Sequence, residues 1–255
     1  MTKVKNKKNG IALFQDMKKC KEKISMITAY DYSMAKCVSA TSIDIILIGD
    51  SLGMVVLGYE DTLQVTVENV IYHCSAVRRG APETFIIADM PYLSYHLSEE
   101  QTRKNAADLI IKGKADAVKL EGGYPSRIDA IKAIVDMEIP VCAHLGLTPQ
   151  SIHKFGGYKV QGKKPEQQEE LLKQALAVEK AGAFMLVLEG IPEILGKEIT
   201  EQINIPTIGI GAGRYTDGQV LVYNDLLGYS DMQPKFVKHY AEINSNIKEA
   251  IELYS

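Results

Sequence analysis

The sequence predicts an α/β fold, a single (β/α)8 TIM barrel, and three observations carry that prediction. The chain has 255 residues, a length that suits one such barrel. Its apolar runs are continuous rather than alternating, as expected of parallel strands buried on both faces. Nearly every run closes on a polar or glycine-rich corner: AYD, GDS, ADM, LEGG, AHLG, LEG, GIGAG and YND. A doubly wound open sheet is the competitor. Neighbouring strands lie about 4.8 Å apart, so the ends of an open sheet spread too far to share one small ligand. A closed barrel gathers them at one mouth.

The strands are expected at SMITAY (from Ser25), IDIILI (from Ile43), FIIAD (from Phe85), DAVKLE (from Asp116), IPVCAH (from Ile139), FMLVLE (from Phe184) and IPTIGI (from Ile205), with QVLVYND (from Gln219) a weaker eighth. Helical segments lie between them. Ser98 followed by Gln101 reads as a capping box, opening a helix that ends near Gly113. Pro125 opens a helix carrying Ile128, Ile131 and Val135. Pro165 opens another, with Leu171, Ala175 and Val178 on one face and Gly182 as its stop. The tail from Lys235 puts Phe236, Tyr240, Ile243, Ile247 and Ile251 on one stripe, which predicts a helix packed on the outside of the body. No linker or repeat interrupts the series, so residues 1–255 read as one domain with a basic N-terminal arm, MTKVKNKKNG, and a helical tail.

Composition narrows the function. A hydrophobic fraction of 46% beside 24% charged residues is that of an ordinary packed, soluble chain. A net charge of −3 with dispersed basic residues leaves no nucleic-acid footprint. No apolar segment follows the basic arm as in a signal peptide, and no run is long enough to span a membrane. Cys20, Cys37, Cys74 and Cys142 form no CxxC pair, which points to a reducing, cytoplasmic setting and away from structural zinc.

The chemistry concentrates where strands end. Asp50, Asp89 and Glu121 each close an apolar run, on the second, third and fourth strands. One Asp at such a corner is commonly a helix N-cap. Three on adjacent barrel strands would instead share one small volume, and would repel one another unless a cation or protons intervene. Hard oxygen donors without a Cys or His pattern suit Mg²⁺. Lys119 stands two residues before Glu121, so both point to one face; there Lys119 either snorkels to water or faces an anionic substrate. His144 ends the fifth strand, where a hydrogen-bonded core histidine is the plain alternative to a site residue. Glu189 ends the sixth after Leu186, Val187 and Leu188, and an apolar rim suits a carboxylate to act as general base. The glycines of GIGAG do not make a dinucleotide fingerprint, because Arg214 occupies the final glycine position. They read as places of close backbone approach. The long corner from Leu145 to Lys164 reads as a lid.

These residues sit in a longer composite: MITAYD, GDSLGMVVLGY, AVRRGAP, ADMPY, VKLEGG, HLGLTPQSIHKFGGYKVQGK, LVLEGIP and GIGAGRYTDGQVLV, in that order. From about Ser25 to Gly228 the chain resembles the ketopantoate (3-methyl-2-oxobutanoate) hydroxymethyltransferase family of pantothenate biosynthesis. The resemblance implies a barrel of the phosphoenolpyruvate/pyruvate type. It implies transfer of a hydroxymethyl group from 5,10-methylenetetrahydrofolate to 3-methyl-2-oxobutanoate, giving 2-dehydropantoate through a Mg²⁺-stabilised enolate. Carried over residue by residue, it implies that Asp50, Asp89 and Glu121 surround Mg²⁺ and that Asp50, Ser51, Asp89 and Lys119 touch the oxo acid, with His144 orienting groups beside it. Glu189 becomes the proton acceptor. It further implies a homodecamer of two pentameric rings. The chain departs from the family pattern at Leu93, where glycine is expected, at Gln64, where proline is usual, and at Arg214, a variable place. Tyr92, Tyr95 or Tyr158 could stack on the pterin. A carbon–carbon lyase of the same barrel superfamily would use the same metal and enolate but no folate, and a degenerate barrel would keep the fold without turnover.

Overall fold

The computed structural model describes residues 10–230 and 234–255. The basic arm, apart from Gly10, lies outside them. Eight parallel strands close in chain order: β1 (Ile24–Thr28), β2 (Ile45–Ile48), β3 (Phe85–Asp89), β4 (Ala117–Glu121), β5 (Val141–Gly146), β6 (Met185–Glu189), β7 (Thr207–Ile210) and β8 (Gly218–Leu221), with β8 returning to β1. The eighth run is shorter than expected, because its YND end already belongs to a helix.

The helices are α1 (Ile11–Lys19), α2 (Tyr32–Ser39), the short α3 (Leu52–Val55), α4 (Val67–Gly80), α5 (Glu99–Ile111), α6 (Pro125–Val135), the short α7 (Ile152–Phe155), α8 (Pro165–Lys180), α9 (Glu193–Gln202), α10 (Tyr223–Leu226) and α11 (Ile243–Tyr254). Ser98 accepts the Gln101 N–H as the cap of α5, and Pro125 and Pro165 occupy the first turns of α6 and α8. The start of α4 carries a reciprocal capping box between Thr66 and Asn69, an Asn variant of the Glu/Gln pattern. Among the described residues no helix separates β7 from β8; the connection over 211–217 is a loop. There Gly213 comes so close to the Glu193 side chain that a Cβ would collide with it. Gly213 thus serves close packing of this loop on the start of α9.

Strand residues alternate between two cores although the runs look uniformly apolar. Ile46, Ile48, Ile86, Val118, Leu120, Ala143, Leu186 and Leu188 face the helices. Ile45, Leu47, Ile87, Ala117, Cys142, Met185 and Val187 face the barrel interior, together with Phe14 and Met17 of α1. Helix α1 therefore closes the barrel floor: Phe14 is fully buried, its ring edge-on to Phe85 at 5.1 Å. Period two then carries the inward face upward to Asp89, to Lys119 and Glu121, to His144 and to Glu189.

The AVRRGAP segment is structural. Arg78 at the end of α4 donates to Lys114 O and Thr84 O at 2.9 and 3.0 Å and pairs with Asp116, tying α4 to the starts of β3 and β4. The tail differs from expectation. Helix α11 starts at Ile243, eight residues after Lys235, and none of its residues is buried; Ile251 is 61% exposed. Among the described residues its apolar stripe finds no cover.

Leu93 explains its own oddity. It is an exposed residue at φ +67°, the left-handed region that favours glycine. Leu93→Gly removes about 1–2 kcal/mol of backbone strain and returns about 0.5–1 kcal/mol as glycine's extra unfolded-state entropy. The expected outcome is a gain of up to about 1.5 kcal/mol, a rise of a few degrees in Tm by calorimetry.

Candidate active site

At the C-terminal mouth, sheet register sets the polar neighbours side by side. Asp89 is level with Lys119, Glu121 with His144, and Gly146 with Glu189. Asp50 follows β2 by two residues. Between them stands Gly49, where a Cβ would lie 2.8 Å from Ser51 Oγ and 3.6 Å from Asp89 Oδ2. That close approach accounts for the aliphatic run stopping on glycine, and it lets the Asp50 backbone N–H donate to Asp89 Oδ2 at 3.0 Å.

The side chains form one connected cluster. Lys119 Nζ pairs with Asp89 Oδ1 at 2.8 Å and lies 3.3 Å from His144 Nδ1. His144 Nδ1 lies 3.5 Å from Glu121 Oε1, and His144 Nε2 lies 3.2 Å from Glu189 Oε2. Ser51 Oγ shares a hydrogen bond with Tyr30 Oη at 2.8 Å. All of the predicted site residues, Asp50, Ser51, Asp89, Lys119, Glu121, His144 and Glu189, line the same cavity, of about 100 Å³. Leu47, Val187, Ile210, Val220 and Val222 form its apolar wall. Asp50, Asp89, Lys119, Glu121 and His144 are each at most 4% exposed, whereas the Glu189 side chain is 17% exposed, at the rim.

Burial dominates the electrostatics. It raises the Asp50 carboxyl well above the usual range, with Asp89 and Glu121 adding repulsion and Lys119 and Gln150 opposing. Asp89 is also raised by burial, although the Lys119 ammonium works against that. Burial opposes the charge on Lys119, but Asp89, Glu121 and Asp50 outweigh it and hold the ammonium charged. His144 is pushed down by burial and by Lys119, yet Glu121 and Glu189 more than offset this and raise it to about 9. A pocket with more carboxylates than cations draws in protons or a metal ion.

The residues fit a hard cation. Glu121 Oε1 is buried with no hydrogen bond beyond its 3.5 Å contact with His144 Nδ1, and Asp89 Oδ1 has only its ion pair with Lys119. Among the described residues no three His, Cys, Asp or Glu side chains close on a common point as a ready-made cage. An ion held here would therefore keep water or take substrate oxygens beside one or two carboxylates, the habit of Mg²⁺.

Sequence reasoning missed Gln150, Tyr30 and the role of Tyr95. Tyr95 is 3% exposed, with Arg127 over one face at 5.3 Å, and is closed to pterin stacking; Tyr92 and Tyr158 are exposed. The lid expectation splits. Residues 145–150 are mostly buried wall, while 152–164 form an outer flap whose Tyr158 Oη lies 3.4 Å from Met54 Sδ. Gln161 N–H ties the flap to Gly190 O at 2.8 Å. All four cysteines are free, and among the described residues no helix is long and apolar enough to cross a membrane.

A family model described as ketopantoate hydroxymethyltransferase matches residues 8–255. The chain is 56% identical over 248 residues to a 3-methyl-2-oxobutanoate hydroxymethyltransferase of Clostridium botulinum (strain Alaska E43 / Type E3), covering 97% of this chain and 90% of that one. It is 54% identical over 250 residues to the Geobacter metallireducens protein of the same name, with 98% and 93% covered. Among solved structures, 2,3-dimethylmalate lyase of the PEP mutase/isocitrate lyase superfamily superposes with a TM-score of 0.64 at 15% identity, covering 95% and 85% of the two chains. Phosphonopyruvate hydrolase, crystallised with oxalate and Mg²⁺, gives 0.63 at 11% identity, with 96% and 85% covered. At such identities the structural likeness establishes the barrel type alone.

Proposed function

The chain belongs to the ketopantoate hydroxymethyltransferase family, and from that premise we propose how the cluster at its barrel mouth carries out the transfer. The enzyme transfers a hydroxymethyl group to 3-methyl-2-oxobutanoate in pantothenate biosynthesis. In our reading 5,10-methylenetetrahydrofolate is the one-carbon donor and 2-dehydropantoate the product. Asp50 and Asp89 would hold Mg²⁺ directly, and Glu121 through the ion's water. Bound there, Mg²⁺ would supply Lewis-acid stabilisation of negative charge on the substrate's keto oxygen.

The chain's own residues do the rest. Lys119, kept charged by its acids, neutralises the oxo acid's negative charge. The apolar wall of Leu47, Val187, Ile210, Val220 and Val222 receives the isopropyl group and excludes water from it. Ser51, held by Tyr30, offers its hydroxyl to the oxo acid. Glu189 removes the proton from C3, and His144 Nε2, 3.2 Å away, orients its carboxylate. The resulting carbanion equivalent forms the new carbon–carbon bond to the methylene carbon. Both of that carbon's C–N bonds to the folate break and water supplies the hydroxyl; the C3 proton and the remaining water proton end on the two folate nitrogens, giving tetrahydrofolate.

The single observation that carries this reading is the run of close contacts Asp89–Lys119–His144–Glu189, at 2.8, 3.3 and 3.2 Å, which puts an anion site and a base in one small cavity with an apolar wall. Turnover assays that omit Mg²⁺ or the folate in turn test it. Loss of turnover in both arms is expected; full activity without added Mg²⁺ in the presence of EDTA would refute the metal assignment.

We also read residues 1–255 as one cytoplasmic catalytic unit, supported by the free thiols. We read the assembly as a homodecamer of two pentameric rings; the exposed apolar stripe of α11 supports self-association only.

A further inference from the structure

Gln150 lies in the turn after β5, 6% exposed, and every polar group of its side chain is used. Its Nε2 donates to Asp50 Oδ2 at 2.8 Å and to Met90 O at 3.0 Å. Its Oε1 accepts from Tyr95 Oη at 2.6 Å. Its backbone N–H donates to Glu121 Oε2 at 3.0 Å. Tyr95 Oη in turn accepts from the Glu121 backbone N–H at 3.2 Å. The orientation of the amide follows from its partners. Exchanging its N and O would face the oxygen with two acceptors, the Asp50 carboxylate and the Met90 carbonyl.

The consequence lies in what these bonds leave over. Asp50 and Glu121 come from different strands, and each has one carboxylate oxygen held by the same residue. Asp50 Oδ1 takes none of these bonds, and Glu121 Oε1 is buried with no hydrogen bond beyond its 3.5 Å contact with His144 Nδ1. A glutamine side chain serves here where a lysine would not, because it fixes Asp50 without cancelling its charge, while the backbone N–H of the same residue holds Glu121. We infer that Gln150 is a positioning residue that aims the remaining oxygens, Asp50 Oδ1 and Glu121 Oε1, at a divalent cation, with Tyr95 locking the Gln150 amide. The inference rests on the metal reading of the site given above. Outer-shell groups of this kind change metal affinity by about 10–100-fold.

The test is Mn²⁺ binding to the full-length protein, read from the free-ion paramagnetic resonance signal and independent of turnover. Gln150→Met keeps the side chain's length and removes its three side-chain hydrogen bonds, leaving the backbone N–H on Glu121. It is expected to weaken Mn²⁺ binding about 10–100-fold without changing the one-site stoichiometry. Tyr95→Phe is expected to weaken it less. The double variant should fall well short of the product of the two effects, because the residues act largely through one path. Wild-type affinity in folded Gln150→Met, or effects that simply multiply, would overturn the inference. If Gln150→Met does not fold, Tyr95→Phe decides alone, and unchanged affinity there counts against it. A wild-type protein that binds no Mn²⁺ would instead strike at the metal reading itself, so the two failures are distinguishable.

Discussion

Glu189→Gln is expected to stop exchange of the substrate's C3 proton with solvent and to lower turnover by about 10²–10⁴-fold, the range a positioned general base contributes. The substitution preserves shape and leaves the His144 contact available to the amide, so the buried cluster beneath should be intact. Glu189 lies at the rim, 17% exposed at its side chain, and 3.2 Å from His144 Nε2 rather than among the three buried acids. Binding of the oxo acid should therefore change little while proton removal fails. Deuterium uptake at C3, followed by NMR in D₂O without the folate, separates the two. Undiminished exchange would take the base role away from Glu189.

Asp89→Asn is expected to have the opposite signature, with binding lost before chemistry can be measured. Asp89 accepts the Asp50 N–H at one oxygen and holds Lys119 at the other. An amide cannot supply the same negative charge to either a cation or the lysine. Mg²⁺ and 3-methyl-2-oxobutanoate should weaken together, by more than the 10–100-fold typical of outer-shell changes. Calorimetric titration of each ligand in the presence and absence of the other reads this directly. Oxo acid binding that stays at wild-type strength while Mg²⁺ binding falls would mean that the two do not share the site.

The sequence made the acids legible for a physical reason. A strand in a barrel alternates strictly, so Lys119 and Glu121 had to share a face, and a carboxylate closing an apolar run had to stand at the mouth. Gln150 and Tyr95 were hidden because their roles arise only where the β3 and β5 corners meet in space. Pro149 marks a turn, but nothing local says that its neighbour bridges Asp50 and Glu121. Helix α1 was equally silent, since no nearby residue signals that Phe14 turns under the barrel floor. The tail was over-read. A stripe in sequence states which residues share a face, and in α11 that face stays uncovered among the described residues. Leu93 ran the other way: a departure from the family pattern became a backbone at φ +67°.

The most direct measurement of the central idea is anomalous diffraction from crystals grown with Mn²⁺ and 3-methyl-2-oxobutanoate. A single peak between the carboxylates of Asp50 and Asp89, with the oxo acid beside it and its branched tail on Val220 and Val222, is the predicted result. A bound oxo acid with no anomalous peak at those aspartates would contradict it.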